Sequence, residues 1–258
     1  MDENLIYKYY APTEYSLDAL INRYFWFSKR SALNDPYDMN IQVLEVFPKF
    51  KELLEHYGYH LEQYKQILEN FAICCFTKRP DNQHFWSLYA GNFQGWCLEF
   101  EEDNLIDSKI GVPNQLYDVI YLDAVPDLND KYQHLELEKN EDETISETIA
   151  GLLSYEKGHE KLFTYLLRIK NCEVWGVEEE KRLILGNIYL MNHKINCDAR
   201  GYGIPWKINA LKRIIVGYKI SDCMRKIITL IANEMGVQMA EAKPNLQDRN
   251  FIVEVKPI

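Results

Sequence analysis

Glu178, Glu180 and Arg182 stand at alternate positions of one short charged run, and their types and spacing suggest chemistry more than any others in the chain. The run leads into apolar residues at 183–185, which predict a core strand. Strands are usually depleted in Glu, because a half-buried pleated surface disfavours a charge. If the strand begins within the charged run, alternation places these three side chains on one face and the two residues between them on the other.

Two carboxylates and a guanidinium on one face of a strand have two interpretations. They form either a structural ion-pair network or a functional site, because both settings hold charged groups in fixed positions. Neighbouring carboxylates repel each other, so Arg182 is expected to neutralise one of them. The paired glutamate would be structural and the other would remain for catalysis. Glu180 is the first catalytic candidate and Glu178 is the second.

The composition limits the classes of protein and partner. The chain has 258 residues, of which 47% are hydrophobic, so a full core is expected. The net charge of −10 argues against a general nucleic-acid partner, because phosphate binding needs a basic surface. The sequence has no signal-peptide pattern and no apolar stretch of membrane-spanning length, and its six scattered Cys fit a reducing cytosol. We therefore expect a cytoplasmic protein with no membrane partner.

Strand and helix patterns alternate along the chain and predict an α+β fold. We expect a single domain over 1–258, with a mixed or antiparallel β-sheet core and flanking helices. Strands are expected at 6–10, 24–28, 71–77, 95–100, 117–121, 181–185, 211–216, 238–242 and 251–255. Helices are expected at 17–22 after a Ser16 cap, at 50–71, at 148–169 and after a Ser221 cap. Segment 127–147 is acidic and poor in large apolar residues, which predicts a surface loop or insertion.

The common metal, phosphate and nucleophile motifs are missing from the sequence. His56 and His60 are four residues apart, but Gly58 lies between them and no Glu follows the first His, so no metal site is assigned there. Neither common glycine-rich phosphate loop occurs, and Ser87 lacks the glycines of a nucleophile elbow. Any cofactor therefore remains unknown at this stage.

Polar and aromatic residues at the ends of predicted elements are the remaining binding candidates. They are Tyr7, Lys8, Tyr9, Ser28, Asn34, Asp35, Trp86, Tyr89 and Arg182. Distant clusters gather when they build one site, so the first two strands are expected to line one cleft with the 178–182 strand. Asp35 lies in a turn, where it is expected to accept hydrogen bonds from backbone N–H groups or to pair with Arg182. Trp86 and Tyr89 are one helical turn apart, which also fits a packed face.

The order of these motifs resembles a bacterial family known as domain of unknown function 2971. The matching residues are Tyr7-Lys8-Tyr9, Phe25-Trp26-Phe27-Ser28, Leu33-Asn34-Asp35-Pro36-Tyr37-Asp38, Cys75-Phe76-Thr77, Trp86-Ser87-Leu88-Tyr89-Ala90, Gly95-Trp96-Cys97-Leu98-Glu99-Phe100, Trp175, Glu178, Glu180, Arg182, Leu211, Ile214, Ile215 and Gly217. The matches span nearly the whole chain. The chain departs at Phe93, where the family usually has a His. The resemblance implies a shared fold, but the family has no settled activity.

The order of candidate site residues is also similar to the order of site residues in ADP-ribosyltransferases, which split NAD. In this chain the order is Lys8, Ser28 and then Glu178 or Glu180. By this similarity, a fixed carboxylate would stabilise the positive charge that develops on the ribose as nicotinamide leaves. The rings that would stack on nicotinamide belong to Tyr9, Trp86 or Tyr89. Lys8 departs from the Arg or His expected on the first strand. The similarity implies NAD as a substrate, and we expect such an enzyme to act in a bacterial defence or stress system, such as phage defence.

Two other functions fit the same residues. A non-enzymatic sensor or interaction domain would use Glu178, Glu180 and Arg182 as a structural network. A metal-dependent enzyme that processes nucleic acid would gather an acidic site from Asp35, Asp38, Glu178 and Glu180. The sequence does not indicate a protein partner or an oligomeric state.

Overall fold

Strands make up most of the regular structure in the described part of the chain. The computed structural model describes residues 4–40, 45–56, 60, 62, 66, 71–103, 105–107, 115–125, 127–131, 165–186, 196–250 and 252–258. The strands are β1 (Leu5–Tyr10), β2 (Tyr24–Lys29), β3 (Phe71–Thr77), β4 (Trp96–Glu101), β5 (Leu116–Asp118), β6 (Ile120–Leu122), β7 (Ile169–Asn171), β8 (Glu180–Gly186), β9 (Asn196–Asp198), β10 (Gly201–Pro205), β11 (Leu211–Gly217), β12 (Gln238–Pro244) and β13 (Val253–Pro257). The helices are α1 (Glu14–Ile21), α2 (Pro48–His56), α3 (Gln83–Leu88), α4 (Leu128–Lys131), α5 (Cys172–Trp175) and α6 (Asp222–Met235).

One large mixed sheet contains eleven of the described strands. They run in the order β13-β12-β11-β4-β1-β3-β2-β10-β9, while β8 joins the sheet through β3 and also pairs with β5. The β11–β12 pair is parallel, whereas β1–β4, β4–β11, β2–β10 and β12–β13 are antiparallel. Strands β6 and β7 form a separate parallel pair. The predicted α+β class, with a mixed sheet and flanking helices, is confirmed.

The chain divides into two compact units, each built from separate segments. The first consists of Met1–Ser28, Ile73–Asp118 and Val177–Ile258, and it contains most of the large sheet with α1, α3 and α6. The second consists of Lys29–Ala72 and Val119–Gly176, with α2, α4, α5 and the β6–β7 pair. The expected single domain over 1–258 therefore stays a prediction.

Capping residues set the ends of two helices in the first unit. The helix predicted after Ser221 is α6, where the Ser221 hydroxyl accepts a hydrogen bond from the Met224 N–H at 3.2 Å. Helix α6 ends at Gly236, whose φ of 68° suits a residue without a Cβ. Helix α1 starts at residue 14 rather than at the expected residue 17, because Thr13 and not Ser16 is its N-cap.

Several predicted segments differ from the structure or extend beyond its described part. The strand expected at 117–121 is divided between β5 and β6. Helix α2 covers the first part of the helix predicted at 50–71, half of whose residues lie outside the described ones, and Phe71 belongs to β3 instead. Residues 148–164 of the next predicted helix and 132–147 of the acidic segment also lie outside them. The start of the acidic segment forms α4.

Neighbouring backbone lies very close to two glycines, Gly95 just before β4 and Gly217 at the end of β11. An added Cβ at Gly95 would lie 1.9 Å from the Tyr10 carbonyl oxygen, and one at Gly217 would lie 2.1 Å from the Phe93 carbonyl oxygen. The Gly217 N–H donates to the Gly95 carbonyl at 3.0 Å. Only glycine fits at such distances. The contact holds β4 and β11 against the loop that follows α3.

We expect Gly95→Ala to lower the free energy of unfolding by about 1–3 kcal/mol, because the added methyl group has no space. Gly176→Ala is the matched control, since its Cβ would meet only the Cys172 Sγ at 3.5 Å and its backbone is already helical. The control should change stability by less than about 0.5 kcal/mol. Urea unfolding measures both variants. Equal stability of the two would contradict the close backbone contact.

Candidate functional site

Strand β3 is the element on which the predicted site strands converge. It is hydrogen-bonded to β1, to β2 and to β8. These strands carry Lys8, Ser28 and Glu180, respectively. The three segments expected to build one site are therefore neighbours of a single strand. The polar side chains on and beside these strands form two clusters.

The first cluster surrounds the Cys74 thiol on β3. Lys8 Nζ donates to the Cys75 carbonyl at 3.1 Å and lies 5.3 Å from the centre of the Phe76 ring. Burial raises the pKa of the Cys74 thiol; Lys8 lowers this pKa through its charge and a hydrogen bond, and the Glu180 carboxylate raises it. Lys8 and Glu180 thus act on the same buried thiol.

Arg182 holds Glu180 with two contacts. Arg182 Nε donates to Glu180 Oε1 at 2.8 Å, and Nη2 donates to Oε2 at 3.2 Å. The two side chains are 0% and 2% exposed. A buried guanidinium keeps its charge, so it depends on a carboxylate partner of this kind. Since Arg182 was expected to pair with the structural glutamate, this contact makes Glu180 the one predicted to be structural.

The second cluster contains Glu178. This residue ends a 3₁₀ turn, Gly176–Glu178, and is 1% exposed. The Tyr89 hydroxyl donates to Glu178 Oε1 at 2.6 Å, and the Thr77 hydroxyl donates to the Glu178 carbonyl at 2.7 Å. A hydroxyl that donates to a carboxylate forms a strong, charge-assisted hydrogen bond. Both the backbone and the side chain of Glu178 are therefore held in place.

The expected alternation of the charged run fails at its first residues. Strand β8 begins at Glu180, and Glu179 has a left-handed backbone with a φ of 45°. Glu178 therefore reaches its buried position from a 3₁₀ turn and not from a strand face. The pairing of Arg182 with Glu180 also reverses the expected ranking, so Glu178 becomes the first catalytic candidate. Catalysis by either glutamate stays a prediction.

Tyr9 and Trp86 belong to the hydrophobic core on the α3 side of the sheet. Trp86 is 0% exposed, its ring stacks on Phe93 at 5.4 Å, and it meets the Tyr9 ring edge-on at 5.0 Å. Trp86 Nε1 donates to the Pro80 carbonyl at 2.8 Å, and the Tyr9 hydroxyl donates to the Arg79 carbonyl at 2.9 Å. These contacts favour the packed-face interpretation of Trp86. Ring stacking on a ligand stays a prediction.

Tyr7 is buried in the sheet, and Asp35 has a partner within its own turn. Tyr7 is buried, and this burial, with the nearby Glu99, raises the pKa of its hydroxyl. Asp35 Oδ1 accepts the Tyr37 N–H at 2.9 Å, which confirms the expected bond from a backbone donor. A role of these residues in binding a substrate stays a prediction.

The acidic metal-site hypothesis required Asp35, Asp38, Glu178 and Glu180 to act together. Glu178 and Glu180 have the different partners described above. Within the described ranges, no three His, Cys, Asp or Glu side chains are grouped so that they could hold a metal ion. The described residues therefore give this hypothesis no support.

A pocket of about 490 Å³ is lined by the residues on either side of Glu178 and by the loop after β3. Arg79 Nε and Nη2 donate to the Asp81 carboxylate at 3.0 and 3.2 Å, and Nη1 donates to Glu179 Oε1 at 3.2 Å. These bonds raise the pKa of Arg79 above its ordinary value. The sequence did not predict this pocket; its one local signal was the charged turn after the apolar strand β3. The other polar residues of the lining are Asn82, Gln83, His84 and Asn250.

Comparisons with protein-family models, with curated proteins and with solved structures found no match. The resemblance to domain of unknown function 2971 therefore stays a prediction. Of the helices in the described ranges, none combines the length and the apolar character needed to cross a membrane.

We expect Glu180→Gln to lower the free energy of unfolding by about 3–5 kcal/mol, because Arg182 would keep a buried charge without its carboxylate. The matched control is the double variant Glu180→Leu with Arg182→Met, which removes both charges. It should lose much less stability, since no unpaired ion remains in the core. Urea unfolding compares the three proteins. A wild-type-like single variant, or a double variant as unstable as the single, would contradict a structural ion pair.

Proposed function

We propose that the protein is an enzyme that cleaves the bond between nicotinamide and ribose in NAD, in the manner of ADP-ribosyltransferases. The observation that carries the proposal is the carboxylate of Glu178, which the Tyr89 hydroxyl holds at 2.6 Å. The pairing of β3 with β1, β2 and β8 also supports it. These strands bear Lys8, Ser28 and Glu180, whose order along the chain is similar to that of the site residues in ADP-ribosyltransferases. Kinship with domain of unknown function 2971 and a role in bacterial defence or stress belong to the same proposal.

The chemistry assigns a different task to each side chain. The bond between the ribose C1′ and the nicotinamide nitrogen breaks, its electron pair goes to the ring nitrogen, and positive charge develops on the ribose. The Glu178 carboxylate stabilises that charge, and Tyr89 orients the carboxylate. Water or another acceptor then forms the new bond to C1′ and releases a proton. Because Glu178 is 1% exposed, substrate reaches it when the surrounding segment moves.

Lys8 and Glu180 act as positioning residues in this proposal. Lys8 is not the Arg or His expected on the first strand, and its ammonium donates to the Cys75 carbonyl at 3.1 Å. This bond joins β1 to β3 beside Glu180. Glu180, held by Arg182, fixes the start of β8 and with it the segment that bears Glu178.

We expect Glu178→Gln to lower NAD turnover by about 100-fold or more, because it removes the charge that stabilises the transition state and keeps the shape of the side chain. Tyr89→Phe should lower turnover by about tenfold or more, through the loss of one charge-assisted hydrogen bond. Release of nicotinamide is measured with water alone and with added protein acceptors. Urea unfolding of each variant accompanies the assay.

Glu234→Gln is the control for the loss of a carboxylate, because this side chain is 77% exposed on α6. It should leave turnover and stability unchanged. Wild-type protein that leaves NAD intact with every acceptor would overturn the proposal. So would a Glu178→Gln variant that is folded and fully active.

The second candidate function is a non-enzymatic sensor or interaction domain. The burial of Glu178 and of the Glu180–Arg182 pair favours it, since all three side chains have partners within the fold. In this function Glu178→Gln would destabilise the protein as Glu180→Gln does. A large loss of stability in both variants, together with intact NAD, would select this candidate over the enzyme.

A further inference from the structure

The pocket beside Glu178 has the dimensions of a ligand site, and the proposed NAD chemistry does not use it. Its volume is about 490 Å³, within the range of about 300–1,000 Å³ that is usual for small-molecule sites. Its walls come from the loop after β3, from the residues on either side of Glu178, and from Asn250 and Ile252 near the C-terminus. All of these segments belong to the first compact unit.

The lining of this pocket carries a net negative charge. Its charged residues are Arg79, Asp81 and Glu179, one guanidinium against two carboxylates, which leaves −1. Arg79 already donates to both carboxylates, at 3.0–3.2 Å. A phosphate or carboxylate ligand would meet a cation that is already paired and an excess of negative charge. A cationic ligand would be attracted.

Glu179 has the capacity to accept a further donor. Arg79 contacts its Oε1, and no described residue donates a hydrogen bond to its Oε2. The Glu179 side chain is 44% exposed, whereas Glu178 and Glu180 on either side are buried. Glu179 also differs from these neighbours in its backbone, which is left-handed with a φ of 45°. A non-glycine residue in this conformation is strained, and such strain is concentrated at functional positions.

The rest of the lining suits an alkyl chain that ends in N–H donors. Val177 and Ile252 supply apolar walls, with 56% and 41% of each residue exposed. His84 also lines the pocket, and its buried Nε2 has no hydrogen-bond partner among the described residues. The amides of Gln83 and Asn250 add neutral donors and acceptors.

We propose that this pocket binds a cationic group on a short alkyl stem, an amine or a guanidinium. The N–H groups contact Glu179 and Asp81, and the stem lies against Val177 and Ile252. A free small molecule and the basic side chain of a peptide offer the same chemistry. The proposal does not rest on NAD cleavage, and its test measures binding alone.

The test titrates the full chain by calorimetry with four probes at low ionic strength. Agmatine represents a free cation with an alkyl stem, and N-acetyl-arginine methylamide represents a peptide side chain. Glutarate and 1-pentanol are the anionic and neutral controls. Saturable binding of either cationic probe that weakens with added salt, without binding of the controls, is the expected result. The tighter of the two cationic probes indicates the source of the natural ligand.

Variants that change the charge of the pocket lining in opposite directions make the test sharper. Glu179→Gln and Asp81→Asn each remove one negative charge and should weaken agmatine binding by about tenfold or more. Arg79→Gln changes the net charge of the lining from −1 to −2 and should strengthen binding. Asp198→Asn is the matched control, because Asp198 and Arg200 form an exposed pair with the same two-residue spacing outside the pocket. It should leave binding unchanged.

Three results at the pocket would overturn the proposal, and a fourth, with the Asp198→Asn control, is given below. They are the absence of saturable binding of both cationic probes, equally tight binding of glutarate, and loss of binding on Arg79→Gln with retained fold. Equally tight binding of glutarate would identify an anion site centred on Arg79. Because Glu179 is 44% exposed, Glu179→Gln retains the fold and gives a result even if Asp81→Asn does not. An equal loss in Asp198→Asn would show that the effect is not specific to the pocket and would also refute the proposal.

Discussion

The start of β8 depends on one buried ion pair, between Glu180 and Arg182. Each charge loses its water on folding, and only a well-aligned contact between the two offsets that cost. Because two nitrogen atoms of Arg182 reach both oxygens of Glu180, the pair fixes orientation as well as distance. The Glu180 side chain is therefore fixed at the residue where β8 begins.

Donors from β3 and the loop that follows it hold the backbone of the same segment. Asn82 donates to the carbonyl of Val177, Thr77 to that of Glu178, and the Lys78 N–H to that of Glu179. Because all three backbone carbonyls are bonded, residues 178 and 179 differ mainly in where their side chains lie. One carboxylate then meets Tyr89 in the core, and the next meets Arg79 in an open pocket. Adjacent residues of the same type thus have opposite surroundings.

Periodic patterns in the sequence were sufficient to predict most of the sheet and helix α6, because buried strands and amphipathic helices repeat over many residues. Two features of the site had no such pattern. The left-handed backbone of Glu179 interrupts the alternation, and the boundary of β8 decides which glutamate Arg182 meets. Boundaries are the weakest part of any reading by periodicity. The pocket combines residues from three separate segments, so no single segment could reveal it; they are Arg79, Asp81, Asn82, Gln83, His84, Val177, Glu179, Asn250 and Ile252.

The contact between the Gly95 and Gly217 backbones restricts motion as well as substitution. Where two main chains touch without side chains between them, no rotamer can change and little sliding is available. Helix α3 and the loop that follows it are therefore anchored to β4 and β11. Tyr89 directly follows α3 and donates to Glu178, so its hydroxyl is presented from an anchored segment. The glycine contact thus helps to fix the hydroxyl that Glu178 meets.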